Sequence, residues 1–520
     1  MSLQKLPIGI STLALIRDNA MLYIDKTPFV WQMVQQPARF FLSRPRRFGK
    51  SLLLNTFKEL FEGNQRLFDG LYIAERWDWS QRFPVIQLNF ADGVMQSRAE
   101  LDVHIEEMLI VQANRLNLDL TARSISGRCA ELIMQARQQY SQKVVVLVDE
   151  YDKPILDNIE HPERAAEIRE GLKNLYSVLK GQDEHLQFVF MTGVTKFSKV
   201  SLFSGLNQLQ DITLSPAYAT ICGYTQTDLE TQFAEHLQGV DWAQLKTWYN
   251  GYQFLGEAVY NPYDILLFIS EQGRYRNYWF ETGSPSFLIK LFRQNAYFLP
   301  ELENLNVSEE ILDSFDIESI DPVTLLFQAG YLTIVEAYMD LGELTFKLTI
   351  PNHEVRVALS NHLIQGYTDL QSERRTHRHT LYQALRQGDL ETLKSAVQRL
   401  FAAIPWRNFT KNDLPNSEGY YASVLYAFFA SIQAVIIPED ISNRGQADLT
   451  VQLGDMIYVM EIKLDTSKEY QTQTPNSALQ QIQTKAYSQK YQGLNKTVFE
   501  VGLIFNSAQR NLVQMDWTQR

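Results

Sequence analysis

The sequence predicts an α/β protein of several domains, and three observations carry that expectation. The chain has 520 residues, too many for one hydrophobic core, so about two to four domains are expected. Over residues 1–215, short runs that are apolar throughout alternate with amphipathic helical patterns. That alternation marks a parallel sheet covered on both faces. From about Ser372 the order changes to helices, a hairpin, a helix and a strand, which suits a second α/β unit.

Taken in order, the predicted strands of the first region are Phe40–Ser43, Pro84–Phe90, Val144–Val148, Phe188–Thr192 and Asp211–Leu214. Helical patterns cover Leu101–Leu116, Ser126–Tyr140 and Ala165–Lys180. After Pro216 the runs are helical: Thr227–Leu237, Trp242–Tyr249 and Pro262–Ser270. The stretch from Ser284 to about Tyr367 contains a hairpin (Tyr331–Glu336, Thr345–Ile350) and reads as a small helical, winged-helix-like unit. Two helices then lead to Glu418, followed by a third helix, a hairpin at Ala447–Leu464, a helix at Ser477–Tyr491 and a strand at Thr497–Phe505. The expected division is 1–215, 216–283, 284–370 and 371–520.

Composition excludes several classes. With 45% hydrophobic and 21% charged residues, 25 Gly and 17 Pro, the chain is neither disordered nor collagen-like. Two cysteines, Cys129 and Cys222, make no disulfide framework and no metal-ligand spacing, which fits a reducing compartment. The start, MSLQKLPIGI, lacks the charged and apolar regions of a signal peptide. The most apolar stretch, Val424–Pro438, is interrupted by Ser431 and Gln433 and falls short of the ~20 residues of a membrane span. A cytoplasmic protein without a membrane partner is expected. The net charge of −12 argues against one large nucleic-acid-binding surface. Residues 371–520 hold 16 Lys+Arg and 14 Asp+Glu, a net of +2, so the first 370 residues carry −14. A local channel can still be basic.

Arg44-Pro45-Arg46-Arg47-Phe48-Gly49-Lys50-Ser51 follows an apolar strand and opens a predicted helix, Ser51–Phe61. That is the setting of a phosphate-binding P-loop. Gly49 would let the backbone approach a phosphate, Lys50 would reach the β- and γ-phosphates, and the Ser51 hydroxyl would ligate Mg²⁺. The first glycine of the usual pattern is replaced by Arg44. The run Val144–Val148 ends in Asp149-Glu150. Burying such an acid is costly unless it is paired or holds a metal. Asp149 would complete the Mg²⁺ shell, and Glu150 would polarise the attacking water. Thr192, ending the next strand, either points at the same crevice as a γ-phosphate sensor or is an ordinary turn threonine. Arg46 and Arg47 contact phosphate, contact a neighbouring subunit of a homo-oligomer, or belong to a solvated loop.

Six strings resemble the AAA-ATPase-like family of prokaryotic proteins: Leu6–Ser11, Tyr23–Thr27, Arg44–Ser51, Asp149–Asp152, Thr192–Ser198 and Trp248–Tyr252. The resemblance covers about residues 6–290, and the family's loop resembles RPRRFGK[ST], so Arg44 is expected there. The resemblance implies an AAA-type P-loop core with a helical lid that binds ATP.

A second site lies near the carboxyl end. Leu453-Gly454-Asp455-Met456 suits a two-residue hairpin loop. That register sets Asp448 opposite Glu461, and Lys463, two residues on, shares the face. Two facing carboxylates repel unless a cation lies between them; Mg²⁺ or Mn²⁺ suits two carboxylates. With the lysine, this is the equipment of metal-assisted phosphodiester hydrolysis. The competing reading is a solvated strand face, but Val451, Ile457, Val459, Ile462 and Leu464 make these core strands. Glu418 precedes an apolar helix, and Gln481 and Lys485 are four apart on a later one.

This pattern, over roughly 380–507, resembles the PD-(D/E)XK nuclease superfamily, in a subgroup often fused to AAA-ATPase-like domains. By that resemblance Glu418 is the helix acid, Asp448, Glu461 and Lys463 are the core triad, and Gln481, Lys485 and Tyr487 face the site from the trailing helix. It implies a restriction-endonuclease-like domain acting on nucleic acid. Arg444 departs from a closer Gly-Arg-x-Asp. His377 and His379, two apart on a helix, are not read as a zinc site. The reading that results is an ATPase coupled to a metal-dependent nuclease. Its rivals are an NTP-dependent switch or scaffold whose nuclease-like fold only binds nucleic acid or a partner, and a nuclease with a structural ATP site.

Overall fold

A computed structural model describes residues 3–35, 37–196, 208–279, 299–313, 321–367, 374–404, 416–432 and 434–520. Phe197 and Ser198, and residues 284–298, 314–320 and 368–370 of the expected 284–370 unit, lie outside them. The chain forms two compact units, residues 1–279 with 306–347 and residues 280–305 with 348–520.

The first unit is built on a five-stranded sheet of β1 (Ala38–Ser43), β2 (Val85–Asn89), β3 (Val144–Asp149), β4 (Leu186–Gly193) and β5 (Gln210–Asp211). Every pairing is parallel, in the order β2-β3-β4-β1-β5. β3 is buried at every residue, as a strand covered on both faces must be. The cover comes from helices Lys50–Phe61, Arg98–Arg115, Ile125–Tyr140 and Pro162–Gly181. Within the described residues the order puts β4 between the strand leading to the loop and the strand ending in Asp149. The carboxyl ends of β1, β3 and β4 therefore share one edge of the sheet, where open α/β sheets bind ligands.

A helical region follows. Helices Gln226–Gln232, Trp242–Tyr249 and Pro262–Ser270 pack their apolar faces into one core with Leu22 and Ile24. Each begins at a side-chain cap, from Thr225, Asp241 and Asn261. The first is shorter than its apolar pattern suggests. Beyond it, β6 (Leu305–Ser308), β7 (Thr333–Asp340) and β8 (Glu343–Thr349) form a small sheet in the order β6-β8-β7, with helix Pro322–Ala329 before the β7–β8 hairpin.

The second unit centres on β9 (Val435–Ser442), β10 (Gly445–Leu453), β11 (Met456–Asp465), β12 (Thr497–Asn506) and β13 (Asn511–Gln519), in the order β13-β12-β11-β10-β9. Only β11 and β12 pair in parallel. Helix Glu418–Ala430 is buried along almost its whole length, because His353–Tyr367 packs on one side and the sheet on another. β9 and β13 go beyond the expected elements; the apolar stretch Val424–Pro438 divides into a helix end and a strand start.

The expected helix Ser477–Tyr491 ends at Lys485. Ala486 is left-handed (φ 51°), and a 3₁₀ turn runs Tyr487–Tyr491. Six residues on one helix would put Tyr487 about 240° round from Gln481. The break instead turns Tyr487 and Tyr491 into the core of Ala447, Ile457, Val459 and Ile482.

One buried carboxylate holds the site edge of the first sheet. Asp152, fully buried, accepts from Val194 N (3.0 Å), Thr195 N (2.6 Å) and the Thr195 hydroxyl (2.6 Å). It thereby ties the turn after β3 to the chain leaving β4. Burial pushes its acid up to about 6. Asp152→Ala leaves these buried amides without an acceptor, at about 1–3 kcal/mol. A lowered first transition in thermal unfolding is the expected result.

Candidate functional site

Two clusters occupy the predicted positions, one in each unit. In the first, β1 enters the loop Arg44–Gly49, and helix Lys50–Phe61 leaves it. Gly49 has φ 93°, a left-handed turn that a side chain would strain, and it delivers Lys50 N-terminal in the helix. Lys50 is buried, and its ammonium donates to the carbonyls of Arg44 (3.0 Å) and Pro45 (3.1 Å). Asp149 Oδ1 accepts the Glu150 amide at 3.0 Å, and the Ser51 hydroxyl acts on the same carboxylate. Burial raises the Asp149 acid; Ser51 and then Lys50 oppose the shift. Hydroxyl and carboxylate together are two oxygen donors of the kind that fit a small divalent cation. Glu150 follows in a left-handed conformation (φ 51°) and is half-buried.

Two residues of the predicted set, Thr192 and Phe48, take other roles. Thr192 is fully buried and donates its hydroxyl to Leu42 O (2.8 Å), its register neighbour on β1. It joins two strands and does not present its hydroxyl to the crevice: the expected sensor role is corrected. Phe48 is buried and packs edge-on against Tyr252, 4.9 Å between ring centroids, so its side chain anchors the loop. Arg46 and Arg47 are exposed at the loop's outer side, with the Arg47 guanidinium over the Tyr263 ring.

In the second unit, β10 and β11 are antiparallel, with Leu453 paired to Met456 and Leu449 to Met460. The turn falls at Gly454-Asp455, with Gly454 at φ 58°. Continuing this register sets Asp448 beside Glu461. There the ladder changes partner: Asp448 Oδ2 accepts the Ile462 amide at 2.7 Å. Glu461 is 2% exposed. Its Oε1 is 3.3 Å from Lys463 Nζ and accepts from the Gln481 amide. Its Oε2, also buried, has no hydrogen-bond partner. Burial first and the Asp448 charge second push the Glu461 acid up to about 7, against the pull of Lys463. Glu418 reaches in from its helix: Oε1 accepts the Leu464 amide (3.0 Å), and its charge acts on Asp448 and Lys463. Tyr487 lies with its hydroxyl 3.4 Å from Gln481. Lys485, at the last helical position, is exposed and shares none of these hydrogen bonds among the described residues.

The buried, unpartnered Glu461 oxygen beside a second carboxylate is a setting that fits a hard divalent cation. Among the described residues no three His, Cys, Asp or Glu side chains gather around one point. His377 is buried and His379 exposed, on different faces of their helix. Both cysteines are buried and free.

Several supporting residues have no signature in the sequence pattern. Gly502 is the β12 register partner of Glu461. A Cβ there would run into Leu479 N on helix Ser477–Lys485, so glycine lets that helix sit close enough for Gln481 to reach Glu461. Asn476 caps the same helix, accepting from Ala478 and Leu479, and donates to Gly502 O (3.2 Å). In the first unit Asn261 donates to Arg46 O and Gly223 to Phe48 O. An Asn-Pro helix start is legible in sequence; its contact with the loop is tertiary.

Fold and sites together define an AAA-ATPase-like unit joined to a domain of the PD-(D/E)XK type. Residues 7–203 match the family described as predicted AAA-ATPase, and residues 416–515 match the PD-(D/E)XK nuclease superfamily. A protein of Azotobacter chroococcum mcd 1, named "Uncharacterized protein in vnfD 5'region", is 42% identical over 514 residues, covering 99% of this chain and 98% of that protein. The chain belongs to the same family as that protein. No helix among the described residues is long and apolar enough to cross a membrane.

Gly502→Ala is expected to push the helix off the strand, at about 1–3 kcal/mol. The melting temperature should fall, as should any stabilisation by added Mg²⁺.

The raised Glu461 acid sets a pH slope. Unfolded, the group ionises near its ordinary 4.5; folded, it keeps its proton to about 7. The native state therefore binds more protons in that window, and stability falls as pH rises through it. Melting curves in metal-free buffer should show this decline, and Glu461→Gln should flatten it.

Proposed function

We propose that the protein is an ATP-hydrolysing enzyme coupled to a metal-dependent nuclease acting on nucleic acid, working in the cytoplasm. The observation that carries the nuclease reading is the buried Glu461 carboxylate, one oxygen unpartnered and the other held by Lys463 and Gln481, with Asp448 alongside. A bound Mg²⁺ or Mn²⁺ would supply a water of lowered pKa and offset charge on a phosphodiester. Asp448 and Glu461 would hold it. Lys463, 3.3 Å from Glu461, would stabilise charge developing on the phosphate and orient the attacking water. Gln481 fixes the Glu461 rotamer, and Glu418 and Tyr487 support the surrounding backbone and helix. Exposed Lys485 would meet the nucleic-acid backbone.

On the nucleotide side, Lys50 would bind the β- and γ-phosphates, Ser51 and Asp149 would hold Mg²⁺, and Glu150 would activate water. Support comes from the Ser51 hydroxyl, which acts on the Asp149 carboxylate at the carboxyl end of β3. Residues 216–283 would act as the lid, 284–370 as a winged-helix-like link and 371–520 as the nuclease domain, with nucleotide state governing access to the second site.

Two experiments test the reading. Lys50→Ala should abolish ATP binding or hydrolysis. Glu150→Gln should keep binding while slowing hydrolysis by a factor on the order of 10². Wild-type turnover by Lys50→Ala would refute the nucleotide site.

Cleavage of a panel of DNA and RNA substrates, with Mg²⁺ or Mn²⁺ and with or without ATP, tests the second site. Asp448→Ala or Glu461→Ala should lose cleavage and retain ATP binding. ATP turnover with no cleavage of any substrate by the wild-type protein would favour a switch or scaffold.

A further inference from the structure

Arg47 stands in the phosphate loop at φ 67°, a left-handed conformation uncommon outside glycine. Its guanidinium lies over the ring of Tyr263, 4.7 Å from the centroid. Tyr263 is the second residue of helix Pro262–Ser270. The loop residues on either side are held by the same helical region. Asn261, fully buried, accepts from Tyr263 N (3.0 Å) and donates to Arg46 O (3.4 Å). Gly223 N donates to Phe48 O (3.2 Å), and the Phe48 ring packs on Tyr252. Three successive residues, 46 to 48, are thus gripped just before Gly49 and Lys50. The backbone contacts fix the loop's path. The Arg47–Tyr263 contact is different, because an exposed arginine can leave it.

We propose that Tyr263 is a positioning residue that holds Arg47 in the nucleotide-free loop and yields it to the polyphosphate of a bound nucleotide, so that loop occupancy is transmitted to the helical region through this contact. The inference rests on the loop being a nucleotide site. A guanidinium can serve the ring face or a phosphate, one at a time. Charge-assisted, bidentate bonding to phosphate is stronger than an exposed cation–π contact, so nucleotide wins the competition. The loss of the stack is the differential interaction that any ligand-driven shift requires.

The test uses the full-length protein. Without nucleotide, Tyr263→Ala should speed tryptic cleavage after Arg46 and Arg47, while Tyr263→Phe, which keeps the ring, should cleave as wild type does. Binding of a fluorescent ATP analogue with Mg²⁺ gives the second readout. Arg47→Ala should weaken it, and Tyr263→Ala should tighten it by about two- to fivefold, the strength of an exposed cation–π pair. In an Arg47→Ala background, Tyr263→Ala should have no further effect. Unchanged or weakened binding by Tyr263→Ala, or an effect that persists without Arg47, overturns the competition. Unchanged tryptic cleavage in Tyr263→Ala overturns the contact itself. Equal failure of wild-type and Lys50→Ala proteins to bind the analogue would instead refute the nucleotide reading, and the cleavage readout separates the two failures.

Discussion

Carboxylates buried or half-buried in and beside core strands are the constraint on which both sites depend. An acid placed there loses its hydration, and the loss must be offset by donors or a cation. Asp152 meets it with the Val194 and Thr195 amides and the Thr195 hydroxyl, and Asp149 with the Glu150 amide and the pull of the Ser51 hydroxyl. Asp448 takes the Ile462 amide in place of a ladder bond. Each solution uses backbone or side chain from a second element, so each acid also fixes where that element lies. Glu461 is satisfied on one oxygen only. That asymmetry separates an acid whose bonds organise the fold from one with a buried oxygen left without a hydrogen-bond partner.

The same accounting explains the close approaches around Glu461. A glutamate buried to 2% exposure needs a donor brought to it, and Gln481 lies on a helix, not on the sheet. The helix can come that near only over a residue without a side chain, which Gly502 provides in the register position beside Glu461. The left-handed break at Ala486 then returns Tyr487 to Gln481. Glycine, helix cap and helix break act together to hold one side chain.

Much of the fold was legible because its signals are local. The β3 run Val144–Val148 is apolar without interruption, and Gly454-Asp455 determines a hairpin whose register follows by counting. Helices Trp242–Tyr249 and Pro262–Ser270 carry Asp and Asn-Pro starts. What was not legible depends on partners distant in sequence. Thr192 has the residue type and strand-end position of a sensor, yet Leu42 on the neighbouring strand claims its hydroxyl. Tyr487 is off the helical face that periodicity assigns it, because Ala486 breaks the helix. β9 hides within one apolar stretch with the preceding helix, and hydrophobicity alone does not say where helix ends and strand begins.

Arg44 shows how a loop can be closed without the glycine that usually opens it. That glycine would allow a tight turn by conformational freedom. Here the Arg44 side chain is buried, donates to the carbonyls of Ser43 (3.0 Å), Thr213 (2.6 Å) and Tyr218 (3.3 Å), and lies 3.8 Å from the Phe254 ring centroid. Burial lowers its pKa to about 10, still high enough to keep it charged at neutral pH. The loop's first residue is thereby pinned to backbone carbonyls just beyond β5 and at Tyr218. A glycine loop takes its shape largely from its own backbone. This loop takes its shape from residues 213–263, through Arg44 at one end and through Gly223, Tyr252 and Asn261 at the other. Any rearrangement of the helical region must therefore alter the surroundings of Lys50, and anything that fills the loop must act back on that region.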